Sequence, residues 1–199
     1  MRNSYLVTGI ATLVVIVGGW YAFSKSSGEA APIIDNSKQS MNATKLTLTS
    51  PAFEANASVP SKYTCDGNGR LSPALTIAGV PEEAQSLVLI MDDPDVPKSL
   101  KPDGVFDHWT LFNIPSETTE IPEGGTVGIA GANGGGQNAY MGPCPPAQYE
   151  PSEHRYFFKL YALDTMFDLS EGAKKAEVES AMEGHILEQT ELIGKYKRI

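Results

Sequence analysis

Residues 86–95 have the sequence SLVLIMDDPD, in which five consecutive apolar residues are followed by a cluster of acids around a proline. A short apolar run with such a boundary is typical of a buried β-strand. Pro94 lacks a backbone N–H, so we expect the strand to stop there. The carboxylates of Asp93 and Asp95 are then expected at the end of the strand, at the mouth of a pocket.

Alternating or aromatic-rich segments predict further strands. Leu46 and Leu48 alternate with polar residues, which indicates a half-buried strand. Other strands are predicted at residues 75–77, 106–114, 126–130, 156–163 and 191–196. Helical periodicity appears only late, where Ser170 is the predicted N-cap of one amphipathic helix over residues 173–187. This pattern predicts a mainly-β fold, an antiparallel β-sandwich with one C-terminal helix.

The composition limits the function classes. A chain of 199 residues is long enough for one ordinary domain and too short for two. Its net charge of −9 argues against a nucleic-acid partner, because such a surface needs a basic face. The two cysteines, Cys65 and Cys144, permit one internal disulfide, and their spacing fits no zinc motif.

The N-terminal segment predicts a transmembrane helix. Residues 5–23 carry no charge, and as a helix they would span about 28 Å, close to the thickness of the hydrocarbon core. Arg2 on the short side places the rest of the chain outside the cytoplasm. Small residues at Ala22 and Ser24 also fit cleavage of a signal peptide, so an anchored protein and a secreted or periplasmic one both stay open.

The expected domain organisation follows from these segments. Residues 1–24 form a signal anchor or signal peptide. Residues 25–43 are Ser-, Ala- and Asn-rich and form a flexible linker. Residues 44–199 form the globular domain. Membrane association is therefore expected only through residues 5–23.

Four segments could carry chemistry: Asp93-Pro94-Asp95, His108-Trp109, residues 140–146 (YMGPCPP) and His154-Arg155-Tyr156. In this order they resemble the phosphatidylethanolamine-binding protein (PEBP) family, in its bacterial branch of Raf kinase inhibitor-like proteins. Residues 61–67 (SKYTCDG) and 181–187 (AMEGHIL) match that branch too, and the resemblance covers about residues 46–198. It implies a β-sandwich with a small anion-accepting pocket at one end.

The resemblance also implies which side chains bind the ligand. Carried over residue by residue, they are Asp93, Asp95, His108, Gly142, Cys144, His154 and Tyr156. A histidine can become a cation when a phosphate enters, and an aspartate can orient its ring. Phosphoethanolamine carries both signs, so acids could bind its amine and histidines its phosphate. The loops at residues 98–103 and 147–153 are longer than that branch usually has, and both are expected to rim the pocket.

Each of these residues has a structural alternative. A histidine in an aromatic strand is often a core residue, and an acid beside a proline is often a turn former. Outside the cytoplasm Cys65 and Cys144 could form a disulfide, or they could flank the site as free thiols. Outside the ligand set, the expected roles are a surface acid for Asp92, an ion pair with an acid for Arg155, and packing on the helix for His185.

The leading interpretation is a non-enzymatic, extracytoplasmic binding module for a small anion or a phospholipid head group, with no cofactor. The resemblance adds inhibition of a protease or a kinase as a further role. The alternative is a hydrolase or metal-dependent enzyme that uses the Asp/His pocket, although the sequence contains no His-x-x-x-His pair and no Gly-x-Ser-x-Gly elbow. A third interpretation is a structural surface domain whose pocket is vestigial.

Overall fold

A computed structural model describes residues 45–198. The predicted anchor or signal peptide, the linker and residue 44 lie outside the described residues, as does residue 199. Within the described range, no helix combines the length and the apolar character needed to cross a membrane.

The described chain is mainly β. Its strands are β1 (Thr47–Thr49), β2 (Leu75–Ala78), β3 (Ser86–Asp93), β4 (Phe106–Pro115), β5 (Glu120–Ile121), β6 (Ile129–Ala130), β7 (Glu153–Leu163) and β8 (Ile186–Lys197). A three-stranded sheet has the order β1-β2-β5, and a five-stranded sheet has the order β6-β4-β3-β7-β8. All neighbouring strands are antiparallel. The prediction of two antiparallel sheets with one helix is confirmed.

Strand β3 lies at the centre of the large sheet, between β4 and β7, and all of its residues are buried. Leu87, Leu89 and Met91 belong to the core shared with the small sheet. Val88 and Ile90 belong to a second core on the opposite face, together with residues of the helix. Because both faces are covered, the strand is continuously apolar instead of alternating. It ends at Asp93, directly before Pro94, as predicted.

The helix is shorter than predicted. Helix α1 covers Lys175–Met182, and Ser170 is not its N-cap. Gly172 has a φ of +82° and Gly184 a φ of +80°, and such left-handed residues interrupt a right-handed helix on either side. Ile186, which the apolar stripe assigned to the helix, instead begins β8 and pairs with Leu163 of β7.

The N-terminal end of α1 is held to the sheet by a network of charges around Asp92. The predicted surface acid is in fact buried, and its Oδ2 lies 2.9 Å from Lys159 Nζ and 3.5 Å from Lys175 Nζ. Lys175 also pairs with Asp107 at 2.8 Å. Asp92 and Asp107 together therefore balance the charges of two lysines that lie at the junction of the helix with β3, β4 and β7.

We expect Asp92→Asn to lower the free energy of unfolding by about 1–3 kcal/mol, because it leaves two partly buried lysines without their shared carboxylate. Chemical denaturation of the full chain measures the change. Asp103→Asn is the matched control, since Asp103 pairs with Lys101 at the surface, and exposed pairs contribute little. Equal effects of the two substitutions would contradict a stabilising role for the Asp92 network.

Candidate functional site

The topology brings the ends of three strands together. Strands β4 and β7 both run antiparallel to β3, so the carboxyl end of β3 lies beside the beginning of each. Asp93 ends β3, His108 is near the start of β4, and His154 is near the start of β7. These three side chains, distant in sequence, therefore line one cavity at one end of the large sheet.

Asp93 and His154 form a buried pair. The Oδ2 atom of Asp93 lies 2.7 Å from Nδ1 of His154, and its Oδ1 accepts a hydrogen bond from the backbone N–H of Asp95 at 2.9 Å. His154 is only 1% exposed, and its other ring nitrogen, Nε2, has no hydrogen-bond partner within residues 45–198. The pair thus leaves one unpartnered buried nitrogen in a side chain that lines the cavity.

His108 is fixed from three sides. Its Nδ1 lies 2.7 Å from the carbonyl oxygen of Met141, so Nδ1 carries the proton and donates it to this bond. The ring packs edge-on against Phe106 and Tyr156, with centroid distances of 4.9 and 5.2 Å. Burial lowers the pKa of His108 below its ordinary value, against the opposing effects of the Met141 carbonyl and the charge of Asp93. His108 is therefore neutral near pH 7 and keeps Nε2 as an acceptor.

The proline-rich loop is attached to the segment around Cys65. Cys65 and Cys144 form a disulfide across a sequence separation of 79, and the Cys65 N–H donates to the Pro143 carbonyl at 3.0 Å. The Gly142 N–H donates to the Gly69 carbonyl at 2.7 Å, so this amide is not available to a ligand. A Cβ atom at Gly142 would collide with the Tyr63 carbonyl oxygen, which explains the glycine.

Two of the predicted ligand residues do not line the cavity. Asp95 turns towards Arg155, which donates to both carboxylate oxygens from Nε and its terminal nitrogen at 2.9 and 2.7 Å. These hydrogen bonds lower the pKa of Asp95. Tyr156 is fully buried behind His108 with its hydroxyl close to Asp93, and burial, followed by Asp93, raises its pKa. The phenol therefore stays protonated, and its ring packs against the ring of His108.

The cavity itself has a volume of about 180 Å³. Its lining contains the predicted residues Asp93, His108, Gly142, Cys144 and His154. The remaining lining is apolar: Val96, Leu100, Phe106, Met141, Pro145 and Pro146. Leu100 lies in the loop that was expected to rim the pocket, whereas Val96 and Phe106 were not predicted as part of the site. A larger cleft of about 400 Å³ beside β7 and β8 is lined by polar side chains such as Lys45 and Gln189. None of the unpartnered buried atoms of residues 45–198 belongs to a side chain that lines it.

Within residues 45–198, no three His, Cys, Asp or Glu side chains are grouped closely enough to hold a metal ion. The geometry instead combines a polar floor, made of the Asp93–His154 pair and neutral His108, with apolar walls. Such a site can accept a small polar group whose attached part is apolar.

The structure defines a class of protein: a β domain of two sheets with an Asp/His pocket at the end of its central strand. The family model "Phosphatidylethanolamine-binding protein" matches residues 49–197. A UPF0098 protein of Chlamydia pneumoniae is 45% identical over 154 residues, covering 77% of this chain and 99% of the relative. One of Methanothermobacter thermautotrophicus is 46% identical over 160 residues, with the same coverages. The chain belongs to the phosphatidylethanolamine-binding protein family.

Solved structures agree with this assignment. A phosphatidylethanolamine-binding protein homolog of Chlamydia trachomatis has a TM-score of 0.74 and 41% identity, covering 78% of this chain and 99% of the other. E. coli YbcL, described as a member of the mammalian PEBP family, has a TM-score of 0.69 and 26% identity with the same coverages. The resemblance stated from the sequence motifs is confirmed at the level of the family.

The disulfide leads to a stability prediction. We expect a reducing agent to lower the melting temperature of the full chain, because reduction releases a long loop in the unfolded state, a change worth about 2–4 kcal/mol. Thermal unfolding with and without dithiothreitol measures the effect. The Cys65→Ser/Cys144→Ser variant is the control, since its melting temperature should no longer respond to the reductant. A response of equal size in that variant would contradict the prediction.

The buried environment of His108 leads to a titration prediction. We expect its NMR titration midpoint in the ligand-free protein to lie below the ordinary value of about 6.5, and to rise when phosphate is added because an anion favours the protonated ring. Between the lowered pKa and about 6.5 the unfolded chain binds more protons than the folded one, so His108 makes the protein less stable as the pH falls through that window. The His185→Gln variant lacks the NMR signal of His185 and so helps to identify the signal of His108. A midpoint at or above 6.5 without phosphate would contradict the prediction.

Proposed function

We propose that the chain is a non-enzymatic binding module whose cavity accepts a small anion, either phosphate or the phosphate of a phospholipid head group. The observation that carries the proposal is the Nε2 atom of His154, buried and without a partner in the described chain, in a side chain that lines the cavity. A buried polar atom without a hydrogen bond is unfavourable by about 1–3 kcal/mol. An anion oxygen that bonds to this nitrogen would remove that cost.

The Asp93–His154 pair supports an anion more than a neutral ligand. An imidazole that carries protons on both nitrogens can donate one to Asp93 and the other to the anion. His108 can take up a proton in the same way when the negative charge enters. The family name, which refers to phosphatidylethanolamine, agrees with a phosphate-bearing ligand.

The size of the cavity limits what can enter. Its volume of about 180 Å³ is below the range of about 300–1,000 Å³ found for pockets that enclose drug-sized ligands. Only a phosphate and its nearest substituent fit inside. If the ligand is a phospholipid, its glycerol and acyl chains lie outside the mouth.

An extracytoplasmic location is also part of the proposal. The uncharged residues 5–23 after Arg2 support it, either as an anchor or as a cleaved signal peptide. The Cys65–Cys144 disulfide supports it as well, because disulfides persist in oxidising compartments. The resemblance implies inhibition of a protease or a kinase. Outside the cytoplasm, the partner for such a role would be a protease and not a cytoplasmic kinase.

The enzyme alternative has one observation in its favour. A carboxylate that holds a histidine by Nδ1 is the arrangement that orients a general base, and Asp93–His154 has it. However, the cavity lining in the described chain contains no hydroxyl side chain and no free thiol, since Cys144 is in the disulfide. Turnover of phosphate esters by the full chain, abolished by Asp93→Asn, would favour a hydrolase over the binding module.

The binding module is tested with His154→Asn. The asparagine amide can still donate to Asp93 from the position of Nδ1, but Nε2 is removed. We expect the affinity for phosphate, measured by isothermal titration calorimetry, to fall by about 10-fold to 100-fold, the size of a lost charge-assisted hydrogen bond. His185→Asn is the matched control because His185 pairs with Asp164 at the surface. Unchanged phosphate affinity in His154→Asn would contradict the proposed role of the cavity.

A further inference from the structure

Residues 144–151, here called the proline wall, supply Pro145 and Pro146 to the lining of the cavity. This segment makes no hydrogen bond to the rest of the described chain beyond the adjacent Ser152. The Tyr149 N–H donates to the Pro146 carbonyl at 3.1 Å, which is a bond within the segment. Prolines have no N–H to donate, so a proline-rich segment has few hydrogen bonds with which to attach itself to its neighbours.

The Cys65–Cys144 disulfide attaches the proline wall to the domain. Cys144 is the first residue of the wall and also lines the cavity. Within residues 45–198, the wall is otherwise held only by the backbone itself and by the packing of its side chains. Both cysteines are exposed, and thiol–disulfide exchange depends on access to a sulfur atom. A thiol in solution can therefore reach the bond that holds the wall.

The floor of the cavity is held independently of the disulfide. The Met141 N–H donates to the His108 carbonyl at 2.9 Å, and the His108 ring is bonded to the Met141 carbonyl at 2.7 Å. His154 is bonded to Asp93 at 2.7 Å. None of these bonds involves a sulfur atom, so we expect reduction of the disulfide to free the proline wall while the floor stays in place.

Building on the proposed function, we propose that the Cys65–Cys144 disulfide is a reversible redox modification site that controls the affinity of the cavity for its anion. With the bond intact, the proline wall stays against the cavity. In the reduced protein the wall can leave it, and only the fraction of molecules with the wall in place binds phosphate at full strength, so the apparent affinity falls by that fraction. A chain in a reducing compartment then has a weak site, which gains its full affinity when the disulfide forms in an oxidising one.

The chemistry is thiol–disulfide exchange with a dithiol. One thiolate of the dithiol attacks a cysteine sulfur, the bond between Cys65 and Cys144 breaks, and the other cysteine leaves as a thiolate that takes up a proton. The second thiolate of the dithiol then breaks the mixed disulfide and releases the first cysteine. The products are two cysteine thiols and the cyclic disulfide of the dithiol, and a disulfide oxidant reverses the reaction.

The experiment measures phosphate binding in both redox states. Isothermal titration calorimetry with inorganic phosphate compares the oxidised full chain, the chain reduced with dithiothreitol and the chain after reoxidation, and circular dichroism checks that the reduced chain is folded. We expect reduction to lower the phosphate affinity about tenfold, which corresponds to a wall in place in about one molecule in ten, and reoxidation to restore it. The Cys65→Ser/Cys144→Ser variant should bind as weakly as the reduced chain and should not respond to dithiothreitol.

Two variants separate release of the wall from a general loss of stability. Val178→Ala truncates a fully buried side chain of α1 in the second core, and such a truncation destabilises a protein without touching the cavity. We expect this variant to keep the phosphate affinity of the oxidised chain. Pro145→Gly/Pro146→Gly keeps the disulfide but gives the wall more conformational freedom, and we expect it to weaken phosphate binding about threefold or more.

The outcomes separate this inference from the proposed function. If the oxidised chain does not bind phosphate, the proposed function fails and the redox control fails with it. If the oxidised chain binds and the folded, reduced chain binds equally well, the anion site stands and the redox control is overturned. An equal loss of affinity in Val178→Ala overturns it too, because the loss then follows from stability. If reduction unfolds the chain, the glycine variant decides, and an unchanged phosphate affinity in that variant overturns the role of the wall.

Discussion

The hydrogen bond between Asp93 and His154 is the interaction on which the site depends. A carboxylate with only 3% exposure is unfavourable unless its oxygens are satisfied, and here the His154 ring and the Asp95 amide satisfy them. Because Nδ1 of His154 is used in this bond, Nε2 is the imidazole nitrogen that is left without a partner in the described chain. It also joins the end of β3 to the start of β7. The fold and the site therefore share one contact, and neither can change at this point without the other.

Most of the fold could be predicted because its pattern is local. Strand β3 is apolar at every position between Ser86 and Asp92, and only a strand covered on both faces requires that. The helix was placed less well, because Gly184, a residue type that often ends a helix, was included in the predicted helix although its φ is positive, as is that of Gly172 before the helix. The early start of β8 is a non-local effect. It begins at Ile186 because the long strand β7 offers a partner there, and pairing overrides the helical periodicity of the segment.

The site was predicted in part. The sequence separation of His108 and His154 says nothing about their distance in space. That these two histidines line one cavity could be expected only from the order of the motifs in the resemblance. Asp93 and Asp95 look equivalent in that motif. Pro94 ends the strand between them, however, so Asp95 leaves the sheet and pairs with Arg155. The Cys65–Cys144 disulfide stayed one of two alternatives for the same reason: a separation of 79 residues gives no indication of proximity in space.

The acids of the motif help to hold the site together. Asp93 positions His154, and Asp95 pairs with Arg155, so both contribute geometry as well as charge. Part of the cavity wall comes from a different part of the chain. Leu100 and Val96 lie on a loop outside the sheets, so a substitution there can change the wall while leaving the Asp93–His154 bond intact. The floor is fixed by the sheet and its hydrogen bonds, and this wall can vary independently of it.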